Sequence, residues 1–148
     1  MKKLLLLSAL LIFACSSDDN DNSNDNNSND PIVGTWEIFY SEATDASNNW
    51  QGGFETPIGD FTWIFNSDGS YDIIDGGFLE QNIGTWTNVG DNIYKFTEGQ
   101  DELFDTLTFL CSNNILIYDF GGAYSELEYF QKEGYNYQNC NEITYSAN

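Results

Sequence analysis

The chain has 148 residues, with 24 acidic side chains against four basic ones, no His, and a formal charge of −20 at pH 7. The four basic residues are all Lys; without Arg or His the usual acyl-transfer and phosphoryl-transfer sites cannot be assembled. So acidic a surface also repels nucleic acid, which is held largely by Lys and Arg contacts to phosphate. An enzyme and a nucleic-acid binder are therefore both excluded as expectations, and no cofactor is called for.

Lys2 and Lys3 form a cationic start, and residues 4–14 are an almost unbroken apolar run of eleven residues. That is too short for a bilayer, which needs roughly 20 apolar residues, but it suits the core of a signal peptide. The run ends in Ile12-Phe13-Ala14-Cys15, which resembles a lipobox, although Phe13 is larger than the residue usual at that place. Residues 1–14 are accordingly read as a lipoprotein signal peptide. Cys15 is read as the acylated mature N-terminus, with palmitate among its acyl chains, which would be the chain's contact with a membrane. Residues 16–30 are only Ser, Asp and Asn; they can bury no apolar surface to offset the entropy of ordering, so a disordered acidic tether is expected. With no Gly-punctuated loop there, calcium coordination is poorly supported. Ser16-Ser17-Asp18-Asp19 resembles the acidic signal that sends some lipoproteins to the cell surface. The expected location is thus the outer membrane, lipid-anchored, on its outer face or, if the tether carries no address, its periplasmic face.

Residues 31–148 are enough for one domain and not two. After the signal is removed, Lys95 and Lys132 face 24 acidic residues, a formal charge near −22. With Cys15 acylated, Cys111 and Cys140 remain. In an oxidising compartment they are expected to form a disulfide, the alternative being two free thiols; two thiols without His make a poor zinc site, and both lack a base for catalysis.

Short runs rich in aromatic and β-branched residues recur between clusters of Gly, Asn, Asp and Ser. Eight strands are predicted, at residues 33–40, 61–66, 70–75, 82–89, 92–97, 105–111, 115–120 and 124–131. Asn66-Ser67-Asp68-Gly69, Gly90-Asp91 and Ser112-Asn113-Asn114 read as tight hairpin closures. Alternation places Trp36, Ile38 and Tyr40 on one face, with Phe61, Trp63, Phe65, Tyr71, Ile73, Leu107, Phe109 and Cys111. Thr35, Glu37, Thr62, Asp72, Thr106 and Thr108 fall on a face suited to water. Residues 115–120 are apolar on both faces, so something should cover their outer side. An open sheet of this kind would expose its edges and core, and closure into a barrel removes both problems.

Gly34-Thr35-Trp36, the stretch Phe65-Asn66-Ser67-Asp68-Gly69-Ser70-Tyr71, Gly84-Thr85-Trp86, and Tyr129-Phe130 followed by Lys132 resemble, in order and spacing, the lipocalin-like domains of bacterial lipoproteins. The resemblance spans nearly all of residues 33–132 and implies an all-β, eight-stranded antiparallel up-and-down barrel of the calycin type. In animal lipocalins the Trp of the first strand packs under an Arg. This chain has no Arg, and Lys132 is the only basic residue near that place.

Gly34, Trp36, Gly84 and Trp86 are expected to close the barrel, each Gly allowing close backbone approach beside its Trp. So many inward rings leave room only for a small pocket, or one confined to a single mouth; Trp63, Phe65 and Phe109 are its candidate lining. The long connection 41–60, with Trp50 and Phe54, reads either as a lid touching cargo or as a cap on the core. Asp101-Glu102 could in principle do glycoside chemistry but reads as a solvated turn. Lys95 should point outward and Lys132 lie at the base, which leaves a buried carboxylate without a cationic partner. The cargo is therefore expected to be neutral or cationic. Two functions follow from this reading. One is a barrel holding a small apolar or amphiphilic ligand, supported by a connected apolar pocket of about 300 Å³ or more. The other is a filled barrel acting as a cell-surface module for a protein or glycan.

Overall fold

A computed structural model describes residues 27–44, 49–121 and 126–145; the signal region, Cys15 and the tether up to residue 26 lie outside the described residues. Among the described residues nine strands run in chain order: β1 (Gly34–Thr44), β2 (Trp50–Glu55), β3 (Phe61–Phe65), β4 (Ser70–Asp75), β5 (Phe78–Gly90), β6 (Ile93–Glu98), β7 (Asp101–Leu110), β8 (Ile115–Asp119) and β9 (Glu126–Lys132). Neighbours pair antiparallel from β3 to β9, β1 pairs with β3, and β1 with β9 closes the ring. The result is a closed eight-stranded up-and-down barrel, with β2 lying beyond β3 along the same edge of β1.

Local chemistry makes the hairpins. In the β3–β4 turn Gly69 takes φ +87; the Asn66 N–H donates to Ser70 O at 2.9 Å, and Asp68 Oδ1 accepts from the Ser70 N–H at 2.9 Å. Asp91 and Asn92 both take positive φ at the β5–β6 turn, as do Gly76 and Gly77 between β4 and β5. Two such residues in succession match the right-handed twist of the flanking strands.

The core has two parts. Inside the ring, Trp36, Ile38, Phe65, Trp86, Tyr94, Leu107, Leu116 and Phe130 are buried together. Outside it, Phe39, Ile115, Tyr129 and Cys140 form a second buried cluster with Tyr40, Ile117, Tyr137 and Tyr145. The segment after β9 folds back on the outer wall: Tyr137 stacks on Phe39 at 4.2 Å between ring centroids, and Tyr145 meets Tyr40 at 4.5 Å. This is the cover that the doubly apolar β8 required.

Several expectations need correction. Residues 41–60 are not one long loop, because β1 continues to Thr44 and β2 pairs with it. Asp101-Glu102 opens β7 rather than forming a turn. Tyr40 does not share the inward face of Trp36 and Ile38. Ile38 pairs with Phe130 and Tyr40 with Tyr129, so Phe39 is an extra residue; such a bulge resets the alternation. Thr62 is buried although it falls on the outer face. Cys111 is bonded to Cys140, with Cα atoms 5.7 Å apart, but it is not inward. β7 ends at Leu110, and Cys111, Ser112 and Asn113 take φ of +51, +57 and +63, which carries Cys111 to the outer cluster. The tail therefore lies along the outer wall.

Candidate ligand pocket

The base of the barrel is sealed. Ile32 and Trp36 are wholly buried, and the Trp36 Nε1–H donates to Ile32 O at 2.6 Å. The Tyr94 hydroxyl donates to Asp30 Oδ1 at 2.6 Å, and Asn88 Nδ2 donates to Asp30 Oδ2 at 2.7 Å. Burial, then the Asp30 carboxylate, hold the Tyr94 hydroxyl well above its ordinary value, so it remains a neutral donor. Lys132 pairs in register with Trp36, and its Nζ stands 5.1 Å from the Trp36 ring centroid, within cation–π range. Burial lowers the Lys132 pKa. Gly34 is the enabling residue: it takes φ +137, and a Cβ there would stand 2.7 Å from Lys132 Cε.

Trp86 closes the same end beside the β3–β4 turn, its Nε1–H shared between Ser70 O at 3.1 Å and Asn66 O at 3.2 Å. Gly84, two residues earlier, is held by contact. A Cβ there would overlap the Thr97 carbonyl oxygen and come within 2.9 Å of Tyr71 Cε1. The four barrel-closing residues thus act as two Gly–Trp units.

Among the described residues the opposite mouth is open, and it holds a cavity of about 220 Å³. Trp63, Phe65, Tyr71 and Phe96 form its walls, and Ile73, Glu98, Leu103, Tyr118 and Phe120 line its upper part. Trp63 is fixed by stacking on Phe130 at 5.0 Å and meets Tyr118 edge-on at 5.2 Å. Its Nε1 is buried with no hydrogen-bond partner among the described residues. A second depression of about 170 Å³ adjoins, sharing Phe96, Glu98 and Leu103 and adding Asp101 and Glu102.

Apart from the Trp63 Nε1–H, the polar side-chain groups at this mouth are acceptors. The Tyr71 hydroxyl donates to Glu98 Oε1, and the Tyr118 hydroxyl to Asp105 Oδ2 at 2.6 Å. In both tyrosines burial, and then the carboxylate partner, raise the pKa, so both stay neutral and each has spent its one proton. Lys95 lies on the outer face and pairs with Glu102 at 2.9 Å.

The sequence-derived lining is thus only partly assembled. Trp63 and Phe65 line the cavity. Phe109 faces inward but sits near the base, 6.0 Å from Trp36 and 6.1 Å from Tyr94. Phe54 is 62% exposed and lines no part of the cavity, and the Trp50 side chain lies outside the described residues. Neither the lid nor the cap expected of this segment is found for Phe54. Tyr71 and Ile73 carried a legible signal, their shared inward face; Glu98, Leu103 and Tyr118 did not. The cavity falls short of the 300 Å³ mark, yet the barrel is not filled.

Glu128 lies on the inward face with Phe130 and pairs in register with Tyr118. Burial, with the Glu126 charge second, pushes its carboxyl up from 4.5 to about 7. The folded state then binds the Glu128 proton more tightly than the unfolded chain, so the stability that this group contributes is fully present below about pH 4.5 and is lost as pH rises towards 7. Glu128→Gln is expected to flatten the stability profile over that window and to stabilise the domain at pH 7.5. Urea midpoints at pH 4.5, 6 and 7.5 check this; an unchanged slope in the variant would mean that Glu128 is not the group titrating.

No family model, curated protein or solved structure matches the chain.

Proposed function

We propose that this chain is an exported, lipid-anchored, lipocalin-like lipoprotein that binds a small apolar or amphiphilic ligand at the open mouth of its barrel. The observation that carries the reading is the cavity of about 220 Å³, walled by aromatic rings and closed below by Trp36 and Trp86. An apolar cavity of about 150 Å³ is large enough to bind benzene, so this one suits a single ring with a short substituent. The Lys132 and Trp36 pairing supports the lipocalin-like part of the reading, since a cation stands over the first-strand Trp.

Titration with indole, followed by amide and indole N–H chemical shifts, tests the binding. Shifts are expected at Trp63, Phe65 and Ile73 and not at Trp36 or Phe109. Ile73→Trp, which fills the cavity, should abolish them while the melting transition persists. Shifts scattered over the exterior, or none, would overturn the reading. Palmitate should bind poorly, because its chain exceeds the cavity and its carboxylate would meet Glu98 without a cation. Sub-micromolar palmitate binding by calorimetry would contradict this.

The second reading, a surface interaction module, draws on the apolar rim. Phe78 is 78% exposed, and Leu79, Leu103 and Phe104 are also exposed; apolar exposure of this kind marks contact surfaces when it is contiguous. Anchoring is tested separately. Cys15→Ser should leave the protein without acyl chains and move it to the soluble fraction, and a metabolically incorporated fatty-acid label retained by the variant would refute the lipidation.

A further inference from the structure

We propose that the ligand of the mouth cavity is a small protonated amine, its apolar body among the aromatic walls and its ammonium at the Glu98 carboxylate. The proposal rests on the mouth being a binding pocket, and it adds the chemical class of the occupant.

Three observations converge. The first is the donor inventory. Tyr71 and Tyr118 donate their only hydroxyl protons to Glu98 and Asp105, so the Trp63 Nε1–H, deep in the wall, is the one unspent side-chain donor among the lining residues, and the hydroxyl and carboxylate groups present lone pairs to a ligand. A ligand group meeting them must donate hydrogen bonds, and an ammonium supplies three donors with a favourable charge. The second is the absence of a competing cation. Lys95 and Lys132 are the only basic residues after Lys3; Lys95 is engaged by Glu102 on the outer face, and Lys132 lies over Trp36 at the other end of the barrel. Glu98 therefore has one oxygen on a neutral tyrosine and no cationic partner among the described residues. The third is the wall itself. Trp63, Tyr71, Phe96 and Tyr118 offer ring faces and edges around a cavity whose adjoining depression carries Asp101 and Glu102; ring faces attract cations. An acidic rim over an aromatic cup fits an amine end-on, with its body inserted first.

Size sets the rest. A body of about one aromatic ring is matched to about 220 Å³, so long-chain amines and polyamines would leave most of themselves outside.

Three probes that share a phenylethyl body separate the terms: phenethylamine, 2-phenylethanol and 3-phenylpropanoate. Affinities are read by chemical-shift titration of the Trp63 and Phe65 signals at physiological salt. Phenethylamine is expected to bind about tenfold more tightly than the alcohol, the worth of one charge-assisted hydrogen bond, and the propanoate more weakly than either. In Glu98→Gln the ratio of amine to alcohol affinity should fall towards one. Glu133→Gln removes the same charge at an exposed site just past Lys132 and should leave the ratio intact, which separates a contact from the general field of the chain. Tyr71→Phe frees a Glu98 oxygen and should preserve or raise the ratio. If the alcohol binds at the mouth and the amine binds no better, or if Glu98→Gln leaves the ratio unchanged, the amine assignment is overturned while the binding pocket stands. If none of the three perturbs Trp63 or Phe65, the pocket reading falls and the amine assignment falls with it.

Discussion

Gly84→Ala is expected to destabilise the domain by about 3 kcal/mol, the upper part of the range for forcing atoms into a packed site, and to lower its melting temperature by roughly 10 °C. The methyl would overlap the Thr97 carbonyl oxygen across the β5–β6 pair and press on Tyr71 at 2.9 Å. Neither neighbour yields easily. Thr97 O belongs to the ladder in which Thr85 pairs with Thr97, and Tyr71 is buried and bonded to Glu98. The φ of Gly84 is not in the left-handed region, so the cost is steric. Gly90→Ala is the informative contrast, since Gly90 takes φ +108 with nothing within 4 Å of an added Cβ. That variant reports conformational cost alone, and about 1 kcal/mol is expected. Thermal melts of both decide the matter; if Gly84→Ala proves no worse than Gly90→Ala, close packing at the Gly–Trp unit does not govern the barrel.

Loss of the Cys111–Cys140 bond should cost a comparable amount. The two residues are 29 apart in sequence, for which the chain-entropy estimate is about 3–4 kcal/mol. Native geometry adds a local consequence. Cys111, Ser112 and Asn113 are consecutive non-glycine residues at positive φ, each costing roughly 1–2 kcal/mol. That turn is held by the bond, by Glu142 Oε2 accepting from the Cys111 N–H at 3.0 Å and by the Asn114 amide donating to Cys111 O at 2.9 Å. In Cys111→Ser/Cys140→Ser the tail should loosen from the wall and expose Phe39, Ile115 and Tyr129. Chemical denaturation gives the global loss, and hydrogen exchange at residues 135–145 gives the local one. A loss below 1 kcal/mol with the tail still protected would show that aromatic packing alone fastens it.

Much of the site's support could be read from residue types. Gly-Thr-Trp recurs at residues 34–36 and 84–86, and the neighbours that occupy the space beside each Gly, Lys132 at Gly34 and Thr97 O with Tyr71 at Gly84, explain why neither position carries a side chain. The apolar outer face of β8 announced a cover, and the aromatic residues after 132 supplied it. Phe109 marks where this kind of reading stops. Alternation told correctly that it faces inward, but height along the barrel axis depends on the stagger between strands, which places Phe109 at the base and Leu103, on the same strand, at the mouth. Glu98 was missed for a related reason. Its part in the cavity comes from Tyr71 on a different strand, a pairing with no trace in local sequence.

Period-two patterning and turn residues, with the resemblance they carry, were enough without coordinates to expect a closed antiparallel barrel of eight strands and its hairpins, and composition alone leaves two Lys after residue 3. These properties are local or additive: each strand's faces depend on its own residues, and charge is a sum over the chain. The bulge at Phe39, the outward Cys111, the tail on the wall and the depth of each ring came only with the closed ring. They depend on register between segments far apart in sequence, where a shift of one residue exchanges inside for outside. Packing across the whole barrel sets that register, and no single strand contains it.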